Sequence, residues 1–401
     1  MTSNCDVLIL GAGIIGLSTG IALLESNPEL KVKIAEKEKE IALHASGRNS
    51  GVLHAGFYYS AQSLKAKFCR EGNVELRKLA KKYSIPVIEV GKVVVTRNRD
   101  ELIPLHTLFK RGITNGVDLE LLEANQLSRY EPLASTHEKF LWSPTTAVSD
   151  PKQMINGMFK EFLRLGGKVD FNKEIELAVS GDEVYDKSNS YNAKHIINAS
   201  GAYADRISRS VGVGTDYAML PFMGVYRFTE HKNLPLKCLV YPVPHPINPF
   251  LGVHFTLTLD NKVKIGPTAI PVAGREQYSL LEGWSAEDIG QAWKGMISLV
   301  KGEAHDFGAI IKTEWPKIIQ SMLVKESSNL VPTAITVREW KRKPPGIRAQ
   351  LVHLPTGKLE QDFVVRSVAN CTHILNAVSP GWTSAIPFGR WVGDEVINSL
   401  N

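Results

Sequence analysis

The chain has 401 residues, 43% of them hydrophobic and 22% charged, the usage of an ordinary globular protein. That balance excludes a disordered tail, a collagen, a coiled coil and a disulfide miniprotein, and single cores stop growing at roughly 250–300 residues, so a second domain is expected. The net charge of +6 comes from scattered Lys and Arg, which offers no basic face to nucleic acid and suits a cleft for a small anion.

In chain order, residues 6–10 form an apolar strand, 11–16 a glycine turn, 17–25 a helix and 31–36 a second strand. A helix is expected over 63–83, where Leu64, Phe68, Leu76 and Leu79 mark one face. Residues 217–271 are rich in Tyr, Phe, Val, Thr and Pro, with the turn signal Leu259-Asp260-Asn261. That pattern predicts an antiparallel sheet. Residues 284–328 look helical, 373–376 form a short buried strand, and 379–385 open a last helix running through Trp391 to Leu400. Cys5, Cys69, Cys238 and Cys371 lie far apart with no CxxC pair, so neither a metal site nor a disulfide framework is expected. No signal or transit segment is read, and no apolar run reaches the ~20 residues of a membrane span. A cytoplasmic setting is expected, with peripheral membrane contact left open.

Gly11-Ala12-Gly13-Ile14-Ile15-Gly16 follows a strand and opens a helix, the arrangement of a dinucleotide fingerprint. Gly11 permits the tight turn, Gly13 lets backbone approach a pyrophosphate, and Gly16 allows close helix–sheet packing. The amides at Ile14 and Ile15 and the helix dipole face the phosphates. Glu36, with Lys37 beside it, ends the second strand where an acid accepts from ribose hydroxyls. Gly212-Val213-Gly214 is a decoy, with no third glycine and no clear strand before it. The fingerprint alone does not separate FAD from NAD. Residues 44–59 do, because they make a long polar excursion through Ser46, Asn49, Ser50, Gly51 and Val52 instead of entering a helix. Such a segment suits wrapping a flavin half.

Several low-degeneracy stretches then carry a resemblance. They are the glycine turn, Glu36-Lys37-Glu38, residues 49–56 with Tyr58-Tyr59, and residues 63–67. Tyr241-Pro242-Val243-Pro244 running on to Pro249 and His254, Gly266-Pro267, residues 346–350, and Ser379-Pro380 with Thr383-Ser384-Ala385 complete them. The sequence resembles the D-amino-acid-oxidase-like FAD oxidoreductases, and within them the L-2-hydroxyglutarate dehydrogenase/oxidase family. The resemblance implies an α/β fold, with a glutathione-reductase-type, Rossmann-like FAD-binding domain interleaved with an antiparallel-sheet (α+β) substrate domain. Residues 1–85, 148–215 and 345–401 would form the first, and 86–147 and 216–344 the second. It further implies that residues 198–202 are a buried strand whose Gly201, after Ser200, lets the chain pass the pyrophosphate. Ile175 would pair with the adenine through its backbone, and Gly381, Trp382, Thr383 and Ser384 would aim amides at the flavin edge.

For chemistry, the resemblance implies FAD-dependent oxidation of a 2-hydroxy acid, L-2-hydroxyglutarate first, with another 2-hydroxy acid or an amino acid as the alternative. Electrons would pass to a quinone or another acceptor, and no oligomeric state is read. His54 is the expected general base, and His254 its rival. Arg348 would grip the substrate carboxylate bidentately, while Tyr59, Tyr226 and Tyr241 are donors to the substrate. Three positions depart from the family pattern. Arg48 stands where histidine is usual, Met223-Gly224-Val225-Tyr226 where Arg-Gly-acid-Tyr is usual, and Gly381-Trp382 where an Ala pair is usual. A dicarboxylate needs two cationic contacts, so Arg48 and Arg275 are the expected substitutes for the missing arginine.

Overall fold

A computed structural model describes residues 3–181, 183–244, 250–279, 282–302 and 307–400. Pro249 of the resembling motif and residues 303–306 of the expected helical region lie outside them. The strand Ser3–Leu10 buries Val7, Leu8 and Ile9 completely. It is apolar without alternation because both of its faces are covered. Val32–Ala35 and Tyr191–Asn198 flank it in parallel. Lys168–Asp170 extends the sheet on one side, and Cys371–Asn376 with the antiparallel Val364–Val368 extends it on the other. One face carries the helices Ile14–Ser26, Leu64–Lys82, Pro151–Arg164 and Ala385–Leu400. Their shared core joins Leu17, Phe68, Phe162, Phe388 and Val392 to Ile9. The expected helix over 63–83 is Leu64–Lys82, with Ser63 capping it by accepting from the Ala66 amide and two lysines in its last turn.

The second sheet has ten strands. Its spine is Tyr217–Glu230 paired antiparallel with Lys341–His353 along most of its length. On the other side follow Lys262–Gly266, His254–Leu257 and Leu239–Pro242, with a tight turn at Asn261. The expectation of an antiparallel sheet over 217–271 meets one exception, because Leu239–Pro242 pairs in parallel with Lys92–Val95. That strand arrives from a distant part of the chain, and no hairpin constrains its direction. Residue 345, where the third nucleotide-binding segment was expected to begin, falls inside the strand Lys341–His353. The helical stretch comprises Ala286–Lys301, Phe307–Glu314 and Gln320–Ser328. No helix among the described residues is long and apolar enough to cross a membrane.

A small third sheet pairs Val52–Leu53 and Val87–Glu89 with Ala147–Ser149. It anchors the middle of the 44–59 excursion at Val52–Leu53. Strand order reverses at Ser3–Leu10, which lies between Val32–Ala35 and Tyr191–Asn198. The crevice beyond the carboxyl ends of such strands is where ligands bind in open α/β sheets.

Candidate active site

A cavity of about 730 Å³ opens at that crevice, within the size range of ligand sites. Its lining runs from Glu36, Lys37 and Ile175 at one end, past the glycine turn and Ser46, to His54, Tyr226 and Arg348 at the other. Gly11 has φ of +104°, and a Cβ there would stand 2.9 Å from the Ala199 carbonyl oxygen, so backbone strain and crowding both demand glycine. The Ile14 amide at the helix start donates to Ser46 Oγ at 2.9 Å. The Glu36 carboxylate accepts the Ala12 amide (2.7 Å) through one oxygen and the Glu38 amide (3.0 Å) through the other. Those bonds orient the acid and leave a lone pair on each oxygen for a ligand. Asn49 folds the excursion, donating to the Ser46 carbonyl and accepting from the Gly51 amide.

Of the expected cofactor residues, Gly11, Gly13, Ile14, Ile15, Glu36, Lys37, Ser46, Asn49, Ser50, Val52, Ile175, Ser200, Gly201, Gly381, Trp382 and Thr383 all line this cavity. Gly16, Gly51 and Ser384 do not. Gly16 packs against the Gly11 carbonyl, Gly51 lies against the Ser149 carbonyl, and the Ser384 amide closes a turn onto the Pro380 carbonyl. The expected strand over 198–202 also needs correction, because the strand ends at Asn198 and Gly201 begins a 3₁₀ turn. Its φ is +59° and nothing would crowd a Cβ there. The residue that lets two chains pass is Gly11, one strand away.

At the other end the His54 backbone is pinned. Its amide donates to Thr383 Oγ1 at 3.3 Å, and its carbonyl accepts from Asn73 Nδ2 at 3.1 Å and the Cys69 thiol at 3.6 Å. The ring lines the cavity while Nδ1 is buried without a partner, leaving Nε2 as the nitrogen offered to a ligand. Burial, then the charges of Lys92 and His254, hold this imidazole well below its ordinary range, so it is neutral. Arg348 projects from Lys341–His353 into the cavity and lies over the Phe250 ring at 5.1 Å. Among the described residues no carboxylate is in ion-pair contact with it, and Glu314 acts on it through space only. A guanidinium so placed favours an incoming anion. Burial lifts the Tyr226 hydroxyl to about 12, keeping it a neutral donor.

His254, Tyr241 and Tyr59 do not line the cavity. The His254 ring stacks on Tyr241 at 3.8 Å, and its Nδ1 bonds the Gly252 carbonyl at 2.8 Å. Burial pulls its pKa down to about 3, so it is neutral as His54 is, and it stands outside the cavity lining. Arg275 is not a substrate cation, because its guanidinium is engaged by Asp205, Asp288 and the Ala202 carbonyl. Arg48 donates to the Leu43 carbonyl at 2.6 Å and stacks on Tyr278, with 3.9 Å from Cζ to the ring centre. Met223 turns away from the cavity between its lining neighbours Phe222 and Gly224 and packs with Ile270, Val272 and Ile347. The departure at this position therefore falls in an apolar cluster.

Sequence reasoning missed two groups. Glu276, Tyr278 and Tyr203 close the cavity wall. Glu276 meets the Lys37 ammonium and the Tyr203 hydroxyl (2.9 Å), while His44 bonds Tyr278 (2.8 Å) and Glu38 (3.0 Å). The second is Lys92, a fully buried lysine behind His54. Its only sequence signal is a charge at the head of the apolar run Val93-Val94-Val95.

The left-handed glycine, the helix N-terminus, the oriented acid and the cavity they line form a cradle into which FAD fits. Comparison with known proteins agrees. Residues 6–395 match the family described as FAD dependent oxidoreductase. The chain belongs to that family. It is 34% identical to the mitochondrial L-2-hydroxyglutarate dehydrogenase of Caenorhabditis elegans, over 98% of this chain and 93% of the relative. It is 32% identical to the L-2-hydroxyglutarate dehydrogenase of Escherichia coli K12, with the same coverage. The fold matches L-alpha-glycerophosphate oxidase of Mycoplasma pneumoniae with FAD bound (TM-score 0.77, 23% identity, 100% of this chain and 95% of the other). It also matches glycine oxidase of Geobacillus kaustophilus (TM-score 0.73, 17% identity, 99% and 95%).

Proposed function

We propose that this protein oxidises L-2-hydroxyglutarate to 2-oxoglutarate with FAD as cofactor. One observation carries the reading: relatives named for that activity are 32–34% identical to the chain over 98% of its length. FAD, when bound, supplies the hydride acceptor. The chain's own residues supply the rest. The Gly11–Gly16 turn and Glu36 hold the nucleotide, and residues 46–52 and 381–383 hold the flavin half. Arg348 pairs with the carboxylate next to the reacting carbon, and Tyr226 donates to the same end of the substrate. Neutral His54 accepts the hydroxyl proton at Nε2. Met223 faces an apolar cluster, so the departure at that position takes no side chain from the cavity lining.

In this reading residues 1–85, 148–215 and 345–401 form the nucleotide half, and 86–147 and 216–344 the substrate half, with Lys341–His353 shared between them. We place the protein in the cytoplasm, touching the inner face of the membrane, where a quinone takes the electrons. Four buried free cysteines support the reducing compartment. Trp293, Ile297 and Val300, all exposed on one face of Ala286–Lys301, support the membrane contact. Anaerobic mixing with L-2-hydroxyglutarate should bleach the flavin, and the D-isomer should not. A flavin that stays oxidised at saturating substrate overturns the proposal.

A further inference from the structure

Behind His54 lies a cation that the chemistry above does not use. Lys92 is fully buried, and its Nζ has no hydrogen-bond partner among the described residues. Aromatic faces surround it instead, with Phe57, Tyr58 and Tyr241 ring centres 4.5, 4.6 and 4.8 Å from Nζ. Ring faces carry partial negative charge, so three of them solvate an ammonium without offering it a proton acceptor. Tyr241 is shared, since the same ring stacks on His254.

The charges facing this cluster come from several elements. On His54 act Lys92 and His254, and on Lys92 acts the Cys69 thiol, which burial lifts to about 12 and keeps neutral. His254 also feels Arg348 and Lys264. The Tyr58, Tyr59 and Tyr241 phenols are pushed upward by burial and stay neutral. Among the described residues no carboxylate acts on His54, Lys92 or His254. A cluster of three bases without an anion, in a low-dielectric interior, tolerates one positive charge far better than two. That charge belongs on Lys92, because an amine is intrinsically more basic than an imidazole and this amine alone has the aromatic cage.

We propose that the aromatic-caged Lys92 ammonium is a positioning residue that keeps the His54 imidazole unprotonated, so that Nε2 stays ready to accept the substrate's hydroxyl proton. The inference rests on the reading of His54 as the base. Burial brings the Lys92 pKa down to about 7.

The test uses the FAD-loaded enzyme and two readouts, the ring-carbon NMR titration of His54 and the pH profile of flavin reduction. Removing the charge in Lys92→Met should raise the His54 midpoint by about one pH unit or more, and Lys92→Arg should restore it. The acid limb of flavin reduction should move upward with the midpoint. An unmoved His54 midpoint in Lys92→Met overturns the proposal. A midpoint that moves while the acid limb stays in place instead overturns His54 as the base. If Lys92→Met does not fold, the wild-type Lys92 side-chain resonance decides. A side chain that carries its proton across the pH range of flavin reduction supports the caged cation, and a neutral amine over that range sinks it.

Discussion

At the nucleotide end of the cavity, the glycine turn and Glu36 come from one continuous strand–turn–helix–strand, tied together by the Ala12 and Ile14 amides, which donate to Glu36 and Ser46. At the substrate end, His54, Lys92, Tyr226 and Arg348 come from four separated segments, and the groups there are side chains whose pKa values burial has shifted. The first end needs only local geometry, because helix amides and a left-handed glycine follow from a short run of sequence. The second needs packing, because a neutral histidine, a caged ammonium and an unpaired guanidinium acquire their properties from neighbours far away in the chain. The nucleotide end should therefore fail through shape, and the substrate end through charge.

Gly11→Val should break the first end outright. Its Cβ meets the Ala199 carbonyl at a φ of +104°, so the purified protein should carry no flavin absorbance, and a variant as yellow as the wild type would show that shape does not rule there. His54→Gln should keep its FAD yet slow flavin reduction by ~10²–10⁴-fold, the usual worth of a general base; unslowed reduction in stopped flow would remove His54 from the chemistry. Arg348→Met should lower kcat/KM for L-2-hydroxyglutarate by about 100-fold, equivalent to about 3 kcal/mol, and leave FAD content intact. Binding unchanged in steady-state kinetics would mean that this guanidinium does not hold the carboxylate.

A smaller effect concerns stability. His195, His254 and His373 are buried and neutral, with pKa values drawn down from 6.5 to about 4, 3 and 4. Below pH 6.5 the unfolded chain protonates them and the folded chain does not, so unfolding takes up protons. The melting temperature should fall progressively as the pH drops from about 6.5 toward 4, and a flat profile in thermal scans would contradict the buried neutral state. Smallest of all is Met223→Leu, a volume-conserving swap in an apolar cluster, which should cost under ~1.5 kcal/mol and leave KM unchanged. A raised KM would return that position to the pocket.

Much of the nucleotide end was legible in the sequence. The strand, turn, helix and acid lie within the first 36 residues, and each has a signature of period, spacing or residue type. The family resemblance placed Gly201 in a strand that in fact ends at Asn198, because a strand's end depends on where its neighbours stop and not on its own residues. At the substrate end His54 and Arg348 were found through motif resemblance, yet His254, Tyr241 and Tyr59 proved to stand behind the cavity wall. Arg275 was misjudged because nothing near it in sequence announces Asp205, its buried ion-pair partner 70 residues away. Lys92 was invisible for the same reason: the rings that cage it come from residues 57, 58 and 241.

By itself the sequence determined that a dinucleotide would lie on a glycine turn in a two-part α/β protein, since those features depend on contacts between near neighbours along the chain. Only the tertiary structure decided which charges face the cavity, which are consumed in ion pairs and which histidines stay neutral. Those outcomes depend on burial and on through-space charge, and both arise only when distant strands meet.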